Sequence, residues 1–82
     1  MIKLLEARYL GAYRVELVFS DGKEGVFDGA VLLQRTGSLV EALRDETYFQ
    51  RLYIEAGALC WPNGLELAPS RLYEKCMMTA PA

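Results

Sequence analysis

Between Tyr13 and Phe19 the chain changes character at every residue. Tyr13, Val15, Leu17 and Phe19 alternate with Arg14, Glu16, Val18 and Ser20. A period of two puts successive side chains on opposite faces, so this stretch reads as a strand with one apolar face. Ser20-Asp21-Gly22-Lys23 follows, and Asp-Gly between strand-like runs signals a hairpin because glycine supplies the positive φ the turn needs. Gly25-Val26-Phe27-Asp28 is the returning strand. Upstream, residues 2–9 mix apolar residues with Lys3, Glu6 and Arg8 until Leu10-Gly11 breaks the pattern. Residues 1–28 therefore predict a three-strand antiparallel meander.

Beyond Asp28 the signals are local. Ala30 to Gln34 is a single helical turn or an extended segment. Ser38 with Glu41 three positions on forms a capping box, predicting a short helix from Leu39. Asp45 or Glu46 caps a second turn carrying Tyr48, Phe49 and Leu52. Tyr53-Ile54-Glu55 and Ala58-Leu59-Cys60-Trp61 read as short strands around a tight turn at Gly57, and Pro62-Asn63-Gly64 ends the second. Leu65-Glu66-Leu67 alternates again. Pro69 suits the first position of a helix, where its missing N–H costs nothing. Ser70 to Cys76 continues it with Leu72, Tyr73 and Cys76 on one side. The expected fold is a single α+β domain over residues 1–76, with residues 77–82 as a frayed tail. An antiparallel sheet of about four to five strands would carry two short helices packed on one face.

Composition narrows the function classes. With 82 residues, 52% of them hydrophobic and 24% charged, the chain fits one small packed domain rather than a disordered one. A net charge of −2 argues against a nucleic-acid footprint, which needs a basic face. The absence of histidine removes the commonest general base and metal ligand. Two cysteines, Cys60 and Cys76, are too few for a disulfide framework and read as reduced, buried thiols of a cytoplasmic protein. No signal-peptide core appears, and no run approaches the ~18 apolar residues of a membrane span. No cofactor, metal or membrane association is expected.

The candidate partner-binding surface is Trp61, Asn63, Glu66 and Tyr73. A half-exposed indole is a typical interface anchor; the competing reading makes Trp61 a core filler at the end of a strand. Asp21 and Asp28 form a candidate polar cluster which, with Glu66, could hold a cation or act as an acid/base pair. Equally, Asp21 is explained by its turn and Asp28 by capping the next segment. The arginines Arg8, Arg14, Arg35, Arg44, Arg51 and Arg71 are scattered, as expected of a solvated mixed surface. Arg14 and Arg8 on the outer sheet face are the local cluster that could contact a partner.

Two segments carry a resemblance. They are Phe19-Ser20-Asp21-Gly22-Lys23-Glu24-Gly25-Val26-Phe27-Asp28 and Trp61-Pro62-Asn63-Gly64-Leu65-Glu66-Leu67-Ala68-Pro69-Ser70-Arg71-Leu72-Tyr73. Together with Leu43-Arg44-Asp45, Phe49 and Gly57 between them, they resemble the small bacterial domain-of-unknown-function family 2442. That pattern usually has Asp where this chain has Glu66, and often leucine where it has Gly29. The resemblance implies a small α+β domain similar to the N-terminal domain of a Nitrosomonas protein. It also implies two settings: some members continue into a helix-turn-helix domain, absent from these 82 residues, and others are encoded beside another small protein in a toxin–antitoxin-like arrangement.

The expected function is a non-catalytic protein-interaction or regulatory module, antitoxin-like. It would act on a protein partner such as a neighbouring-gene product, without direct nucleic-acid contact. Homodimerisation is expected from the high apolar content of so small a domain. One alternative is the accessory domain of a DNA-binding regulator that lacks its helix-turn-helix. A second is a small enzyme of unknown reaction.

Overall fold

The structure, a computed structural model, describes residues 1–79, with side chains described as far as Cys76. The expected meander is present as β1 (Leu4–Gly11), β2 (Arg14–Phe19) and β3 (Glu24–Asp28), antiparallel in the order β1-β2-β3. Along β2 the alternation becomes burial: Val15, Leu17 and Phe19 face the core, while Arg14, Glu16 and Val18 point away. Register irregularities in β1, between Leu4 and Glu6 and between Tyr9 and Gly11, leave Leu5 and Leu10 as the extra residues. Both are exposed, as bulge residues outside the ladder can be.

The two hairpin turns differ. After β2, Gly22 takes φ +88°, and the Asp21 carboxylate accepts from the Lys23 amide at 3.0 Å. Between β1 and β2 no glycine occupies the two-residue turn. Ala12 and Tyr13 both take positive φ, at 52° and 63°. The expected strand start at Tyr13 thus moves to Arg14. Tyr13 holds this unfavourable conformation through its neighbours: its amide donates to the Tyr9 hydroxyl, its own hydroxyl donates to the Arg44 carbonyl, and its ring meets Phe49 edge-on.

A 3-10 turn over Leu32–Gln34 follows, then α1 (Ser38–Leu43) and α2 (Glu46–Phe49). The expected capping box does not form. Gly37, at φ 133°, is the N-cap residue, which draws Ser38 into the first turn, where its side chain makes no cap hydrogen bond. Asp45 does cap α2, accepting from the Thr47 amide at 3.0 Å.

β4 (Tyr53–Glu55), β5 (Ala58–Cys60) and β6 (Glu66–Leu67) form a second antiparallel sheet, ordered β4-β5-β6. The fold is α+β, but among the described residues two three-stranded sheets with three helices replace the expected single sheet of about four to five strands with two helices. The reason lies where the sheets meet. The Leu4 amide reaches the Gly57 carbonyl at 2.9 Å, at the tip of the β4–β5 hairpin. A turn offers no ladder for β1 to extend, and the Lys3 stem lies so close that a Cβ on Gly57 would meet it at 2.8 Å.

α3 (Pro69–Thr79) opens on Pro69 as expected and packs on β3. It runs past the expected end at Cys76, and residues 80–82 of the expected tail lie outside the described residues. Gly25 permits the close approach: a Cβ there would meet the Cys76 Cβ at 2.7 Å. Leu72 and Cys76 enter the core, and Phe19 meets Tyr73 edge-on at 5.1 Å. Between the layers Phe49 lies against Tyr9, Tyr13 and Trp61, with ring centroids 5.7, 5.2 and 5.4 Å away. Burying each large apolar side chain of this core contributes roughly 1.5–3 kcal/mol. Among the described residues no helix is long and apolar enough to cross a membrane.

Candidate functional site

The Trp-Pro-Asn-Gly segment is a turn clamped onto the helical side of the core. Trp61 is fully buried, and its indole N–H donates to the Phe49 carbonyl at 2.9 Å. It presents no surface to a partner, which corrects the reading of Trp61 as a platform. Asn63 closes the turn: its side-chain oxygen accepts from the Leu65 amide at 3.1 Å, while its side-chain amide donates to the Leu39 carbonyl at 3.0 Å. Gly64 completes the turn at φ +96°.

Asp21 and Asp28 do not form one cluster. Asp21 lies in the turn before β3 and Asp28 is its last residue, so the strand's five residues hold them at least about 13 Å apart. Each serves its own turn, with Asp28 accepting from the Ala30 amide at 3.0 Å. Asp21 instead joins Tyr73, whose hydroxyl donates to its carboxylate at 2.7 Å. The Lys23 amide, and after it this hydroxyl, holds the Asp21 carboxyl below its usual range. Among the described residues no three His, Cys, Asp or Glu side chains gather to hold a metal ion.

Arg8 pairs with Glu16 at 2.9 Å on the outer face of the sheet. The basic convergence is elsewhere. A cleft of about 310 Å³ opens between the 3-10 turn, β6 and α3. Buried Phe27, Leu32 and Leu72 form its floor, and Val31 and Leu67 its apolar walls. Arg35, Arg71 and Lys75 line it together with Glu66, the one residue of the expected surface found there. The Arg44 guanidinium donates to the carbonyls of Leu33 and Arg35 at 3.0 and 3.3 Å, fixing the loop that carries Arg35. Arg71 and Lys75 stand one helical turn apart on α3. That spacing was the available sequence signal; nothing local ties Arg35 to them.

Both cysteines are free and buried. Burial pushes the Cys76 thiol up to about 11. Burial, followed by the nearby Glu66 and Glu55 carboxylates, also holds Cys60 above its ordinary value. The Cys60 thiol lies 3.8 Å from a Glu66 carboxylate oxygen.

Residues 4–77 match the family described as "Protein of unknown function (DUF2442)". The chain belongs to this family. The DUF2442 match takes in both sheets and every residue lining the cleft. No curated protein and no solved structure matches the chain.

Proposed function

We propose that this DUF2442 chain is a non-catalytic interaction module that recognises a protein partner, antitoxin-like in acting by binding. The observation that carries the reading is the cleft between the 3-10 turn and α3, where an apolar floor is bordered by Arg35, Arg71 and Lys75. Such a combination holds a ligand by burial and charge. General acid/base work draws on a group poised near neutral pH, whereas burial moves the two thiols towards the inert, protonated form. Reduced thiols also suit the cytoplasm as the working compartment.

Site-specific photo-crosslinking in the native host tests the proposal. A benzoylphenylalanine replaces Val31, which is 48% exposed in the cleft wall, or Glu6 on the outer face of β1 as control. A discrete adduct with a second protein from position 31, absent from position 6, is expected. No adduct from position 31, or adducts only with another copy of the chain, would overturn recognition of a separate partner through this cleft.

A further inference from the structure

The geometry points to an acidic peptide segment as the cleft's ligand, with one bulky apolar residue flanked by carboxylates. This deepens the interaction-module reading and rests on it. The chain carries nine cations, eleven acids and a net charge of −2. The cleft nevertheless gathers Arg35, Arg71 and Lys75 against Glu66 alone. That local reversal of sign selects a negatively charged ligand.

The two arginines are also available. Among the described residues neither Arg35 nor Arg71 has an ion-pair partner, and both are exposed. A guanidinium in that state offers a forked donor set matched to a carboxylate. Glu66 does not close the site by pairing with Arg71; its carboxylate lies beside the Cys60 thiol.

The floor and walls supply the second half of the recognition. Phe27, Leu32 and Leu72 are already buried, but Val31 is 48% exposed and Leu67 half-buried, so an incoming apolar side chain would complete their burial. A volume of about 310 Å³ sits at the small end of ligand pockets, suited to one bulky side chain rather than a broad protein face. Arg35 comes from the 3-10-turn side, and Arg71 and Lys75 from α3, so charge stands on both sides of the apolar seat. The Arg35 amide donates to the Leu32 carbonyl at 3.1 Å, and Arg44 holds the Arg35 carbonyl, so this wall is ordered before binding. A nucleic acid would need a longer basic track and exposed aromatic faces for stacking. The cleft offers one aromatic residue, Phe27, and it is buried.

Three labelled synthetic peptides test the inference against the full chain. One is Glu/Asp-rich with a single central Phe, the second has that Phe replaced by Gly, and the third has Lys at every acidic position. Fluorescence anisotropy at low and physiological salt gives affinity, and amide chemical-shift mapping gives the site. The Phe-bearing acidic peptide should bind roughly tenfold tighter than either of the others and weaken with salt. Its shifts should centre on Val31, Arg35, Leu67 and Arg71. Arg35→Glu and Arg71→Glu should each weaken it by roughly tenfold, and the double reversal should favour the Lys peptide instead. Arg51→Glu, exposed and outside the cleft, should change nothing. Equal binding of the acidic and Lys peptides, shifts centred elsewhere, or stronger binding of a short DNA duplex at the same residues would overturn the inference. If position 31 crosslinks a partner but the acidic peptide does not bind, the inference fails and the interaction module stands. If position 31 gives no adduct, the module reading falls on its own evidence.

Discussion

The Gly29 amide donates to the Tyr13 carbonyl at 2.7 Å, tying the loop after β3 to the strained turn between β1 and β2. A Cβ on Gly29 would meet that carbonyl oxygen at 2.6 Å and the Phe49 ring at 2.5 Å. This closeness explains glycine at position 29. Gly29→Ala must push the turn or the ring aside, and overpacking of this kind costs about 1–3 kcal/mol. Urea unfolding checks it; an unchanged midpoint would show that the turn yields freely.

Trp61 is the chain's one tryptophan and has no exposed surface, so its native fluorescence should resist quenching by acrylamide until the protein unfolds. Trp61→Phe removes the indole bond to the Phe49 carbonyl, which keeps only the longer bond from the Leu52 amide at 3.4 Å, at about 0.5–1.5 kcal/mol, and leaves a cavity besides. A drop in melting temperature of roughly 4–8 °C per kcal/mol is expected for a domain of this size. Efficient quenching of the native protein would contradict the buried indole.

Asp21 carries an acid-range prediction. Its folded pKa is depressed by the Lys23 amide and the Tyr73 hydroxyl. The stability it contributes is therefore present above the unfolded value of about 3.9 and is lost as pH falls through the lower folded value. Asp21→Asn and Tyr73→Phe should both flatten the fall in melting temperature below about pH 4. The paired variant should add little to Asp21→Asn alone, because Tyr73 acts on this titration only through that carboxylate, whereas Tyr73→Phe leaves the Lys23 amide bond in place. Strictly additive effects would show that the two side chains act separately.

The thiols should be slow. With Cys76 raised to about 11 and Cys60 raised in the same direction, iodoacetamide at mildly alkaline pH should label both only after denaturation. A raised folded pKa means that the Cys76 contribution to stability is complete below the unfolded value of about 8.5 and fades as pH climbs through the folded one. Mass spectrometry of native and urea-treated samples measures this. Rapid native labelling of Cys76 would mean that α3 opens from β3 far more readily than its packing indicates.

Much of the fold is written in local pattern. The alternation through Phe19, the glycine at position 22, Asp45 before α2 and Pro69 at the head of α3 each act within a few residues, and each is found in place. The two sheets are not legible that way, because their separation depends on Leu4 meeting the tip of a distant hairpin. The Ser38–Glu41 pattern misleads because Gly37 takes the capping position first. Tyr13 at positive φ is hidden because neighbours remote in sequence stabilise it. Of the expected surface, Trp61 and Asn63 went to the core and its turn, since an aromatic at a strand end reads alike whether it faces in or out. Arg35 and Arg71 converge only through tertiary structure.

The backbone link from Leu4 to Gly57, together with Phe49 sandwiched between early tyrosines and Trp61, implies an order of events on the ribosome. The meander is synthesised first, yet the groups that cover its inner face are all made later. Until Trp61 and α3 emerge, the core that Val15, Leu17, Phe19 and Phe27 share with Trp61, Leu72 and Cys76 is incomplete. Nascent chains halted at Glu55 should therefore be cut readily by protease, whereas chains released beyond Cys76 should resist. The domain should close only once α3 has been made, and its early half should until then be open to chaperones and to its own neighbours on the polysome.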